Sequence, residues 1–101
     1  MLRIYDVALR VLEQMRPAVK AMEMRDRDLA RQMRRAASSV VLNIAEGSGS
    51  SGGTRRERYR NALGSAREVV ACIEVARAWQ YAELDAEILD EVIGTLMKVT
   101  R

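Results

Sequence analysis

Residues 28 to 47 read DLARQMRRAASSVVLNIAEG, and this stretch decides the fold. Leu29, Met33, Ala36, Val40 and Ile44 recur at steps of three and four, which puts them on one face of an α-helix. A polar stripe runs beside them: Gln32, Arg35, Ser39, Asn43 and Glu46. It lies roughly 100° round the helix, because each residue advances by about that angle. A surface helix normally turns its polar residues away from its apolar face. Here Val41, Leu42 and Ala45 cover the far side of the second half, so that half is apolar nearly all round. Such a helix needs burial on more than one side. In a chain of 101 residues, part of that burial is expected from another copy, with Val41, Leu42 and Ala45 as the oligomer interface.

On the C-terminal side, SGSSGG at 48–53 predicts a flexible Gly/Ser loop. With Gly47 it superficially resembles a phosphate-cradling loop, but the Gly-Lys-Ser or Gly-Lys-Thr ending and the preceding strand are missing. Gly47 itself suits a left-handed helix C-terminus. Thr54 to Glu57 reads T-x-x-E, a capping box that opens a helix reaching Gln80. Its apolar face holds Tyr59, Ala62, Leu63, Ala66, Val69, Val70 and Ile73, and its polar flank holds Asn61, Ser65, Glu68 and Cys72. An antiparallel hairpin about the loop pairs residues whose numbers total roughly 103. Arg35 then faces Glu68, Ser39 faces Ser65, and Asn43 faces Asn61. This seam reads either as a satisfied polar layer fixing helix register or as a ligand site. The first is favoured, since the chain has no His and one Cys. On that reading Glu68→Ala would strand Arg35 and destabilise strongly.

On the N-terminal side, Asp26 or Asp28 can cap the central helix after a charged connection at 23–27. Ile4, Ala8, Val11, Met15, Ala18 and Met22 mark a first helix over about 2–22, with a kink expected near Pro17. Leu84, Ile88, Leu89, Val92, Leu96 and Val99 mark a last helix over about 84–100, and Trp79 and Tyr81 are expected to close one end of the core. The expected fold is all-α, a single domain (1–101) built as an antiparallel up-down four-helix bundle with helices near 2–22, 28–47, 54–80 and 84–100.

Composition narrows the chemistry. Almost half the residues are apolar, with no Phe and a single Pro, which favours helix. No apolar run nears the roughly 20 residues that span a bilayer, and no signal-peptide pattern opens the chain. One Cys closes no internal disulfide, so a cytoplasmic setting is expected. Cys72 reads as an inert packed thiol. Without His, the usual general base is missing, no metal or cofactor set is legible, and no enzyme is expected.

The net charge of +3 hides an asymmetry. Residues 1–67 carry 14 basic against 7 acidic side chains, a net +7, and residues 68–101 carry 3 against 7, a net −4. Fifteen of the 17 basic residues are Arg, the side chain suited to bidentate contacts with phosphate. Arg55, Arg56, Arg58 and Arg60 cluster at the start of the third helix, and Arg31 and Arg34 lie on the outward face of the second. Tyr59 within that cluster reads as a core residue rather than a base-stacking one.

The run Leu29, Gln32, Arg35-Ala36-Ala37, Ser39-Val40 and Asn43-Ile44-Ala45-Glu46-Gly47 resembles the signature of the bacterial four helix bundle protein family associated with intervening sequences in 23S ribosomal RNA genes. Ala62, Gly64-Ser65 and Glu68 resemble its second block, A-x-G-S-x-x-E. The family usually follows N-I-A-E-G with an aromatic and a basic residue, where this chain has Ser48-Gly49-Ser50. The resemblance implies an up-down bundle assembled as a homopentamer. It also implies similarity to the accessory variability proteins of diversity-generating retroelements, which bind nucleic acid and a reverse transcriptase.

Together these readings predict a non-enzymatic, oligomeric nucleic-acid-binding protein, with RNA the expected ligand and Arg31, Arg34, Arg55, Arg56, Arg58 and Arg60 its contacts. The alternative is a protein scaffold, in which the basic front of one copy meets the acidic last helix of its neighbour.

Overall fold

A computed structural model describes residues 3–101. The expected helix start at Leu2 lies outside them. Four α-helices follow in order: α1 (Arg3–Arg25), α2 (Arg27–Ser48), α3 (Gly52–Ala78) and, after a 3-10 turn at Ala86–Leu89, α4 (Asp90–Val99). No strand occurs among the described residues. Contacts between Glu23 and Arg34, Ser39 and Ser65, and Arg56 and Thr100 are those of antiparallel neighbours. No helix among the described residues is long and apolar enough to cross a membrane.

Apolar periodicity explains the packing. Val11, Met15, Val19 and Met22 from α1 meet Met33, Val40 and Ile44 from α2, Val69 and Ile73 from α3, and Leu89, Val92 and Leu96 from the last segment in one core. Val41 is 7% exposed and belongs to this core, which corrects its assignment to an oligomer interface. The α2 apolar stripe is broad enough to touch both α1 and α3. Leu42 is 62% exposed, and Ala45 is partly covered.

Several boundaries differ from those expected. The charged connection shrinks to Asp26, whose N–H donates to Met22 O and whose carboxylate accepts from Leu29 N at 2.9 Å. One residue thus ends α1 and caps α2. Pro17 lies inside an unbroken, solvent-facing stretch of α1.

Gly47 does not end α2 in the left-handed region. It is buried inside the helix, and the C-cap is Gly49 at φ −88°. The glycine is required for space, since a Cβ there would stand 2.5 Å from Cε1 of the Tyr59 ring. Half of the Gly/Ser stretch is helical, with only Gly49 to Ser51 between α2 and α3. The expected capping box is not used. Gly52 at φ +58° lets α3 begin two residues before Thr54.

At its other end α3 stops at Ala78, short of Gln80. Tyr81 N–H donates to Ala76 O and Gln80 N–H to Arg77 O, a Schellman arrangement with Gln80 in the left-handed position at φ +61°. The chain therefore turns away before Trp79 can enter the core. Trp79 is 65% exposed and stacks on Tyr81 with ring centroids 6.2 Å apart. Residues 82–85 are not helical, and Asp85 caps the 3-10 turn by accepting from Glu87 N at 2.9 Å. The last helix is correspondingly shorter than 84–100.

Candidate nucleic-acid interface

The outward ridge of α2 separates two grooves of different chemistry. On the α3 side, Gln32, Arg35 and Ser39 face Ser65 and Glu68 across an open groove of about 510 Å³, with Asp28 and Arg31 at its upper end. It continues past Asn43 and Glu46 towards Arg58. On the α1 side, Leu12, Met15, Val19 and Ala37 floor a smaller cleft of about 290 Å³, rimmed by Arg16, Lys20, Glu23, Arg34 and Ser38.

The hairpin register matches the seam at one point. Ser39 Oγ and Ser65 Oγ are hydrogen-bonded at 2.7 Å, and Asn43 Nδ2 donates to Ser39 O at 2.9 Å and to Ser39 Oγ at 3.1 Å. The other two pairings differ from expectation. Arg35 and Glu68 line the same groove, yet both are exposed and neither forms an ion pair among the described residues. Asn61 is exposed, while Asn43 directs its amide to its own helix. No polar or charged side chain is buried among the described residues, so the seam is a solvated furrow and not an internal polar layer. The strong effect expected of Glu68→Ala loses its basis, because Arg35 has water to solvate it.

The six arginines expected to meet nucleic acid are not equivalent. Arg55 Nε donates to Gly47 O at 3.2 Å and to Ser50 O at 2.8 Å. It thus satisfies carbonyls at the C-terminal end of α2, where a cation also suits the helix dipole. Arg56 Nε donates to Thr100 O at 3.3 Å, tying α3 to the end of α4. Arg58 pairs with Glu46 at 3.1 Å, Arg31 with Asp28 at 3.5 Å, and Arg34 with Glu23. Arg60 is exposed and has no ion-pair partner among the described residues.

The structure thus divides the expected cluster. Arg31, Arg35 and Arg58 line the α3-side furrow, Arg34 stands on the ridge and borders both grooves, and Arg55 and Arg56 serve as structural ties. Two cations beside α2 were missed by sequence reasoning, Arg16 and Lys20 on α1. Their spacing of four, with Glu23 three residues on, was the available signal for a shared helix face.

Cys72 is buried in the core four residues from Glu68. Burial, and then the charge of Glu68, push its thiol up from the ordinary value, so it is held protonated.

The family model described as 23S rRNA-intervening sequence protein matches residues 1–101. Comparison with curated proteins and with solved structures gives no match.

Proposed function

We infer the function of this chain from one premise: it belongs to the 23S rRNA-intervening sequence protein family, whose model covers all of it. The reading is a non-enzymatic, RNA-binding helical bundle that works as a self-associating accessory factor, its copies joined in a ring of the pentameric kind. The observation that carries the RNA part is the net +7 of residues 1–67, in which Arg35 and Arg60 are exposed and form no ion pair among the described residues. Arg31 and Arg58 hold exposed pairs of the kind worth about 0–1 kcal/mol, so they can readily exchange a carboxylate for a phosphate. The Ser39, Asn43 and Ser65 side chains between them offer hydrogen bonds to ribose hydroxyls. A protonated, buried Cys72 supports the non-enzymatic part, because its thiolate is disfavoured.

The test is electrophoretic mobility with single-stranded and structured RNA across a salt series. Affinity should fall steeply with salt, and Arg35→Glu with Arg60→Glu should flatten the log–log slope by about 0.7–0.9 for each phosphate no longer neutralised. Absence of binding in low salt, where electrostatic affinity is greatest, would sink the reading.

One observation favours the scaffold alternative. In the α3-side furrow Arg31, Arg35 and Arg58 are matched by Asp28, Glu46 and Glu68, a balance that suits a protein partner as well as a polyanion. Light scattering with and without RNA separates the two readings, since a scaffold assembles fully without RNA and binds none.

A further inference from the structure

The chain has one Trp, and its fold leaves that residue outside the core. A large aromatic side chain left in water, stacked on a second ring, is the composition of an interface anchor and not of an ordinary surface. The pair stands beside an open groove lined by Tyr81, Glu83, Leu84 and Asp85, with Arg77 as its one cation. The backbone holds the pair in place, since Gln80 N–H and Tyr81 N–H are bonded back to Arg77 O and Ala76 O around the left-handed Gln80. The result is an aromatic projection with acidic flanks.

The α1-side cleft is its complement. Its floor is apolar, formed by Leu12, Met15, Val19 and Ala37, and Arg16 and Lys20 stand on its rim. Glu23 in the same rim is already paired with Arg34, which leaves the rim net positive. The cleft's open space of about 290 Å³ is on the scale that seats one or two aromatic side chains. The projection and the cleft lie on different helices of the bundle, α3 with its following turn and α1 with α2.

We propose that Trp79 of one copy inserts into the Leu12–Met15–Val19–Ala37 cleft of a second copy, with Glu83 and Asp85 meeting Arg16 and Lys20. The two surfaces differ, so the contact is heterologous, and repetition closes a ring or continues as a filament. Trp79 is 65% exposed and Tyr81 is already half-buried, so together they can cover less than the roughly 300–500 Å² of two fully exposed rings, well short of the roughly 1,200 Å² of a stable interface. The flanking charges add to so small a contact, and assembly should be weak, reversible and salt-sensitive. This rests on the self-association part of the reading above and is independent of RNA.

The sole tryptophan makes the test direct. Without RNA, sedimentation mass should rise with protein concentration while the indole emission moves to shorter wavelength, and Trp79→Ala should remain monomeric with an unchanged helical circular dichroism spectrum. Arg16→Glu with Lys20→Glu should also be monomeric, as should Glu83→Lys with Asp85→Lys. Mixing these two charge variants should restore association, which a merely structural role for the four residues would not produce. An oligomer whose indole stays water-exposed, or Trp79→Ala assembling like the parent chain, would overturn the proposed contact and leave self-association standing. A parent chain that stays monomeric at every concentration would overturn both.

Discussion

On its α3-facing flank α2 is fastened by a pair of serine hydroxyls and by a tyrosine ring packed on a glycine. On its α1-facing flank it is joined through apolar side chains beneath a cationic rim. One helix, through its 3.6-residue period, sends adjacent stripes to two neighbours with different chemistry. The α3 side is also packed through apolar side chains, and to these it adds a few directional contacts, which fix register along a furrow open to water. The α1 side relies on non-directional burial with one exposed ion pair, Glu23–Arg34, at its rim, and beside it lies a cleft with an apolar floor that water wets poorly. A shared helix can therefore present a solvated, hydrogen-bonding groove for one kind of partner and an apolar seat for another.

The largest expected effect on this contrast comes from Gly47→Ala. Helix propensity alone would favour alanine by about 1 kcal/mol. The added Cβ, however, falls 2.5 Å from Tyr59 Cε1, and the ring is only 4% exposed, with no room to retreat. The substitution should destabilise by about 1–3 kcal/mol in urea denaturation, as overpacking does. Tyr59→Leu in the same chain should recover part of the loss. A stabilised Gly47→Ala protein would show that the α3 flank is not closed by this contact.

A smaller effect belongs to the serine pair. Ser39→Ala should cost about 1 kcal/mol, and Ser65→Ala a similar amount. The double variant should cost little more than Ser39→Ala alone, since both remove the shared bond and only Ser39→Ala also takes an acceptor from the Asn43 amide. Simple additivity in the cycle would mean the hydroxyls do not fasten the flank.

The smallest effect is expected at Glu68. Exposed, and without an ion pair among the described residues, it should tolerate Glu68→Gln within about 0.5 kcal/mol at neutral pH. The variant should instead change alkaline behaviour. Cys72 has a folded pKa above its ordinary 9.0, so its contribution is complete below that value and is lost as pH rises through the folded one. Removing the nearby negative charge narrows the gap. Glu68→Gln should therefore lose less stability in alkaline unfolding than the parent chain, and its native thiol should alkylate faster there. Identical alkaline curves would mean that Glu68 does not act on the thiol.

Much of this was legible in the sequence, for identifiable reasons. The α2 and α3 apolar stripes gave the helices, and their polar stripes gave a register that places Ser39 against Ser65. What was not legible depended on tertiary space. Gly47 has the residue type of a left-handed cap, and only the Tyr59 ring shows that it is needed for its missing Cβ. Arg55 has the charge of a phosphate ligand, yet the chain folds so that the carbonyls of Gly47 and Ser50 lie within its reach. Trp79 has the hydropathy of a core residue, and the early turn after Ala78 strands it outside. The second-helix arginines were legible as neighbours because they share one helix. Arg16 and Lys20 were missed because their role arises from a neighbour far off in sequence.

The clasp between the end of α2 and the start of α3 has a kinetic consequence. Ser48 and Tyr59, whose hydroxyls approach to 3.5 Å, are only 11 residues apart. Loop-closure entropy grows with the length of chain enclosed, so this corner of the core is reached with a smaller entropy loss than helix contacts farther from the turn. The central hairpin can thus take shape as a template, and α1 and α4, arriving from opposite ends of the sequence, need only find a surface already laid down.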